Sequence, residues 1–138
     1  MKKTLVLSAT LENLEFFMAH VRSSAAACGM DDNLLNQIEL SLEEVLVNII
    51  SYAYPSHQKG DIEMNCSWDT QQGLVIGVTD SGIAFDPLAK PNPDITLPLD
   101  ELGIGGLGIF LTKKMMDKVT YERSHGKNIL TMSKRCSK

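Results

Sequence analysis

Cysteine is scarce in this chain of 138 residues, and the three present, Cys28, Cys66 and Cys136, are odd in number and far apart. There is no CxxC pair and no histidine at a metal-ligand spacing, which speaks against a zinc ribbon, a disulfide framework and a dithiol redox site. The cysteines read as buried thiols. Long apolar runs are also lacking: none approaches the ~20 residues that a membrane-spanning helix needs, so no membrane role is expected. Basic charge is not in excess. The formal net charge of −4 and a pI near 5.3 offer no electrostatic footprint for nucleic acid, and the basic tail "SKRCSK" is short and terminal. The start "MKKTLVLSA" is basic, but its apolar run is too short for a signal-peptide core and is followed by Glu12 and Glu15, so a cytoplasmic protein is expected.

Apolar residues at 43% and charged residues at 22% are ordinary for a globular protein, and the length suits a single domain over 1–138. There are no internal repeats. Lys3 to Leu7 reads as a strand, and Leu11 to Cys28 as a helix that starts at Thr10 and stops at Gly29. Asp31 and Asp32 offer an N-cap for a long helix from about Asn33 to Ala53, closed by Pro55. "DIEMNCSW" and "GLVIGVTD" alternate and read as a hairpin joined at "DTQQG". From Ser81 to Leu102 the chain is rich in Gly, Pro and Asp, the length and composition of a functional lid. "GIGGLG" then opens an amphipathic helix, and "KVTYERS" and "NILTMSKR" are two last strands turning at His125 and Gly126. This order predicts an α+β fold with helices layered on one face of a largely antiparallel sheet.

On the long helix, Leu34, Leu35, Ile38, Leu42, Val45, Leu46, Ile49 and Ala53 form one apolar stripe at about 100° per residue. Glu44 and Asn48 are neighbours on its flank, with Gln37 and Ser41. On this helix alone they read first as a solvated polar shoulder. "DSGIAFDP" follows at the end of the second hairpin strand. There a carboxylate, Asp80, can accept a hydrogen bond from a flat ligand that the glycine two residues on allows to come close. As a turn alone the same pattern is common. "GIGGLGIF", from Gly103 to Phe110, places glycines before a helix N-terminus, where free amides favour phosphate. Its spacing matches neither a P-loop nor a dinucleotide fingerprint, and a plain glycine-rich linker reads the same way.

Taken in order, these stretches resemble the ATP-binding domain shared by gyrase, Hsp90-type chaperones, histidine kinases and mismatch-repair ATPases. Glu44-x-x-x-Asn48 looks like its N-box, Asp80-x-Gly82 its first glycine box, and Gly106-Leu107-Gly108 its second. The compact length, "AFDP" and "GGLGIFL" are similar to the anti-sigma factor serine/threonine kinase branch. The resemblance implies the Bergerat fold, a two-layer α/β sandwich with helices on one face of a mostly antiparallel mixed sheet, and an ATP lid at about 87–106. It implies ATP and Mg²⁺ as cofactors, with Asn48 as the metal ligand and Glu44 as the general base. Asp80 and Gly82 would take the adenine, and Gly105, Gly106, Leu107 and Gly108 the phosphates. Relatives often carry Thr after the glycine of the last hairpin; here Asn128 stands two residues on, and it would contact the adenine in its place. Ile104 replaces a basic residue seen in some relatives, and Tyr52 a histidine.

Two functions follow from the resemblance. One is a protein kinase that phosphorylates an anti-sigma-antagonist protein and in its other state holds a sigma factor. The alternative is a nucleotide-gated protein-binding switch with negligible catalysis. A homodimer is expected, and the run Phe16, Phe17, Met18 on the first helix has more apolar surface than one face buries.

Overall fold

A computed structural model describes residues 2–55, 59–84 and 112–137. The expected lid at 87–106, with Ile104, Gly105, Gly106, Leu107 and Gly108, lies outside the described residues. The chain forms β1 (Lys3–Ser8), a 3₁₀ turn (Leu11–Asn13), α1 (Leu14–Ala27), α2 (Asp32–Tyr52), β2 (Asp61–Asp69), β3 (Gly73–Asp80), β4 (Lys118–Ser124) and β5 (Lys127–Lys134). Residues 112–115 are also helical.

Local chemistry sets the boundaries. Gly29 takes φ +70°, the left-handed geometry that stops α1. Asp31 then caps α2: its side chain accepts from the Asn33 N–H at 2.8 Å, and its charge sits at the positive end of the helix. Asp69 folds the β2–β3 turn by accepting from the Gln71 and Gln72 N–H groups at 2.8 and 2.6 Å. His125 and Gly126, at φ 51° and 77°, close β4 on β5 with the two left-handed residues that a tight hairpin needs.

The sheet order is β1-β2-β3-β5-β4, and all four pairings of the described strands are antiparallel. The sheet is therefore antiparallel throughout these strands rather than mixed. Two successive helices return the chain to the end of the sheet it left, so β2 runs back beside β1. β4 runs in the same direction as β3, but β5 lies between them and no parallel neighbours arise.

One apolar cluster joins the helices to the sheet. Phe17, Met18, Val21 and Ala25 of α1 and Ile38, Leu42, Val45 and Leu46 of α2 pack on Ile62, Met64, Cys66, Leu74, Ile76, Val78, Leu130 and Met132. Alternate strand residues supply the sheet side. Each fully buried Leu, Ile or Met stabilises by roughly 1.5–3 kcal/mol. On the outer surface Arg22 bridges the two helices, its Nε 2.6 Å from Glu39 Oε1 and its Nη1 2.5 Å from Glu15 Oε1. Phe17 and Met18 are core, whereas Phe16 is 62% exposed. Of the thiols expected to be buried, Cys66 is, but Cys28 and Cys136 are half-buried. Cys28 packs against the edge of the core at the end of α1, and Cys136 lies just beyond β5, where its carbonyl accepts from the Asp31 N–H at 3.2 Å.

Candidate functional site

Ser41, Glu44 and Asn48 fall on one flank of α2, beside the apolar stripe. Ser41 is 2% exposed, and its hydroxyl donates to Met115 Sδ at 3.8 Å, so residues 112–115 lie over that part of the flank. Lys134 Nζ donates to the Met115 carbonyl, and the Asp117 N–H donates to the Ser133 carbonyl at 2.9 Å, which pins the returning chain to β5. Further along the helix Asn48 is half-buried and Glu44 is exposed. A carboxamide and a carboxylate thus stand one turn apart, both accessible.

The other half of the site grows out of the sheet. Cross-strand partners share a face, and the register aligns Ile62, Asp80, Asn128 and Arg123 in one row over β2, β3, β5 and β4. Ile62 is fully buried; beyond it the row turns polar while Asp80 and Asn128 stay 5% and 6% exposed. Buried polar groups need partners, and here they partner one another. Asp80 Oδ1 accepts from the Gly82 N–H at 2.9 Å and from Asn128 Nδ2 at 3.0 Å. Asn128 Nδ2 also donates to the Ile83 carbonyl at 2.8 Å, and its Oδ1 accepts from the Tyr121 hydroxyl at 2.5 Å. Arg123 Nη1 donates to the Gly82 carbonyl at 2.9 Å.

Gly82 joins the two halves. The Ile83 N–H donates to the Ala53 carbonyl at 2.9 Å, so the turn after β3 docks on the residue that caps the C-terminus of α2. Tyr54 reinforces this junction: its hydroxyl donates to the Asp61 carbonyl at 2.6 Å and accepts from the Ser81 N–H at 2.8 Å. Burial pushes the Tyr54 hydroxyl up, and the charges of Asp80 and Asp61 push the same way against the Ser81 N–H, so it stays a protonated donor. With a rise of about 1.5 Å per residue, Asn48 precedes Ala53 by about 7.5 Å along α2 and Glu44 by about 13.5 Å. The turn that follows Asp80 therefore sits at the C-terminal end of α2, with Asn48 and then Glu44 farther back along the helix.

Asp80, Gly82 and Asn128 are thus brought together, with Asn48 and Glu44 on the helix that Gly82 abuts. Asn128, expected to contact a ligand directly, has its amide engaged by Asp80, Ile83 and Tyr121. Three contributors escaped the sequence reading. Tyr54 directly precedes Pro55, and nothing in the sequence signals its hydrogen bonds to Asp61 and Ser81. Tyr121 and Arg123 share a face of β4 by their spacing of two, a signal that gains meaning only once the register places them beside Asn128. Among the described residues no three His, Cys, Asp or Glu side chains converge as a metal cluster. No helix among them is long and apolar enough to cross a membrane.

The family model described as the histidine kinase-like ATPase domain matches residues 7–134. The chain is 29% identical over 96 residues to the serine/threonine-protein kinase BtrW of Bordetella bronchiseptica, covering 70% of this chain and 67% of that one. It is 23% identical over 133 residues to the serine-protein kinase RsbW of Listeria monocytogenes, covering 94% and 84%. Among solved structures, that of the RsbU and RsbW domains of a Mycobacterium tuberculosis protein superposes with TM-score 0.68 at 17% identity over 98% of this chain. This chain spans about a third of that one, 32% of its length. A blue-light activated histidine kinase of Erythrobacter litoralis superposes with TM-score 0.60 at 15% identity over 86% of this chain and 41% of that one.

Proposed function

The chain belongs to the histidine kinase-like ATPase domain family, and we propose that it is an ATP-dependent serine/threonine protein kinase of the anti-sigma type. One observation carries the reading. A buried carboxylate at the end of β3 is held on the C-terminal end of the helix that also presents Asn48 and Glu44. A nucleotide whose adenine amino group donates to Asp80 lies with its phosphates along α2, toward Asn48. Gly105, Gly106, Leu107 and Gly108 complete the phosphate contacts in this reading.

Asn48 fits Mg²⁺ in kind. A hard cation takes oxygen ligands and keeps several waters, so one half-buried carboxamide oxygen together with nucleotide phosphates suffices without a protein cage. Bound there, the ion would neutralise phosphate charge. Glu44, one turn on and exposed, is free to take the proton of an incoming serine or threonine hydroxyl. The hydroxyl oxygen then bonds to the γ-phosphorus, the bond from that phosphorus to the β-γ bridging oxygen breaks, and ADP leaves.

The relatives named as serine-protein kinases support a protein substrate, and the partners proposed are an anti-sigma-antagonist protein and a sigma factor, in the cytoplasm. Phe16, 62% exposed beside two core neighbours, supports a contact with a second copy of the chain. The test is incubation with γ-labelled ATP, Mg²⁺ and each antagonist-type protein of the same organism. Label on a serine or threonine of one of them is expected. Tight ATP binding with no transfer to any would leave the nucleotide-gated switch as the function.

A further inference from the structure

We propose that Tyr121 and Arg123, on the outermost strand β4, are positioning residues that fix Asp80 for adenine by way of Asn128 and the Gly82 carbonyl. This rests on the reading of Asp80 as the adenine acceptor. The chemistry of the Asn128 amide dictates its orientation. On one side it meets two acceptors, Asp80 Oδ1 at 3.0 Å and the Ile83 carbonyl at 2.8 Å, which only the NH₂ group can satisfy. Its oxygen must then face a donor, and the Tyr121 hydroxyl is one, at 2.5 Å. The alternative flip would set oxygen against two oxygens that can only accept.

The register makes this possible. Tyr121 pairs with Leu130 and Arg123 with Asn128, so Tyr121 is the diagonal neighbour of Asn128 on the same face. Arg123 then reaches past Asn128 to the Gly82 carbonyl at 2.9 Å. The peptide segment from Gly82 to Ile83 is held at every polar group: Gly82 N–H by Asp80, Gly82 carbonyl by Arg123, Ile83 N–H by Ala53 and Ile83 carbonyl by Asn128. Both hydrogen bonds to the Asp80 carboxylate among the described residues fall on Oδ1, which leaves Oδ2 for a ligand donor. A carboxylate locked in this way needs no ordering when the base arrives, and preorganisation of that kind raises affinity. It also sharpens selectivity, since a base with a carbonyl in place of the amino group meets a fixed acceptor.

The experiment compares ATP with inosine triphosphate, in which a carbonyl replaces the adenine amino group. Equilibrium binding of both to the full chain is measured for wild type, Tyr121→Phe, Arg123→Met and Asn128→Ala, with thermal melts to establish folding. Wild type is expected to prefer ATP. Tyr121→Phe and Arg123→Met should each weaken ATP by roughly threefold to tenfold, the loss of one hydrogen bond. Asn128→Ala should weaken it further, and inosine triphosphate should stay within about twofold throughout. A merely structural role would weaken both nucleotides alike. Folded Tyr121→Phe and Arg123→Met proteins that keep the wild-type ratio overturn the proposal, even where Asn128→Ala fails to fold. A wild type that does not distinguish the two nucleotides overturns the adenine reading of Asp80 itself, and the proposal with it.

Discussion

Gly82 lies against Ala53 so closely that a Cβ added to Gly82 would stand 2.2 Å from the Ala53 carbonyl oxygen and 2.7 Å from its carbon. These are backbone atoms of a helix end, which cannot swing aside. The glycine expected to let a ligand approach is required first by the protein's own packing. Gly82→Ala should therefore push the turn off α2 and carry Asp80 with it. A loss of about 1–3 kcal/mol, the usual effect of overpacking, should appear in denaturant melts together with weaker ATP binding. Gly126→Asn is the control. Nothing lies within 4 Å of a Cβ there and φ is +77°, which Asn tolerates, so nucleotide binding should be unchanged.

Asp80→Asn tests the acceptor itself. The amide oxygen can still accept from the Gly82 N–H and from Asn128 Nδ2, the bonds now made at 2.9 and 3.0 Å, so the fold should survive. What changes is the group left for the ligand, an NH₂ that faces the adenine amino group donor to donor. ATP affinity should fall by roughly 10- to 100-fold, as for the loss of a hydrogen bond to a charged group. Calorimetry giving the wild-type affinity would remove Asp80 from the site.

Cys66 gives a prediction about alkaline stability. Burial pushes its thiol up to about 11 from an ordinary value of 9.0. The folded state therefore holds the proton that the unfolded chain releases, and the contribution is full below about pH 9 and lost as pH rises toward about 11. The melting temperature of the wild type should decline more steeply between those pH values than that of Cys66→Ala. The slope is the readout, because the cavity left by alanine lowers the whole curve. Equal slopes would show that this thiol does not govern the decline.

Much of the fold was legible because it rests on periodicity and punctuation. The stripe from Leu34 to Ala53, the Asp31 cap, the alternation of Ile62, Met64 and Cys66 and the turn at His125 and Gly126 are local signals, and each element formed where its signal lay. The absence of parallel neighbours among the described strands was not legible, since it depends on β5 inserting between β3 and β4. Asp80 and Gly82 could be picked out as a pair, but not the reason for the glycine, which is the Ala53 carbonyl 29 residues earlier. From the sequence alone, Asn128 has the chemistry of a ligand contact. Only the register reveals that Asp80, Ile83 and Tyr121 engage its amide. Side-chain networks across strands depend on pairing, and pairing is not written in any one strand.

Glu44 and Asn48 separate chemistry from binding, because they are neighbours on one helix with different work assigned. Neither belongs to the core cluster, and Glu44 is exposed, so replacements should fold. Glu44→Gln keeps the size and much of the hydrogen bonding but cannot take a proton. It should leave Mg-ATP affinity nearly intact while phosphotransfer falls by roughly 10²- to 10⁴-fold, the range for a positioned general base. Asn48→Ala deletes an oxygen ligand and should weaken Mg²⁺-dependent ATP affinity first, with transfer falling in step at subsaturating ATP. If both were only parts of a solvated shoulder, each replacement would shift stability within about 0.5 kcal/mol and change neither property. The two variants should therefore be measured together, for ATP affinity with and without Mg²⁺ and for label transfer to the identified protein substrate. A Glu44→Gln protein that binds ATP and transfers phosphate at the wild-type rate would exclude Glu44 as the base. A Glu44→Gln protein that binds ATP normally but transfers poorly, beside an Asn48→Ala protein that needs far more nucleotide, would assign the proton to one residue and the metal to the other.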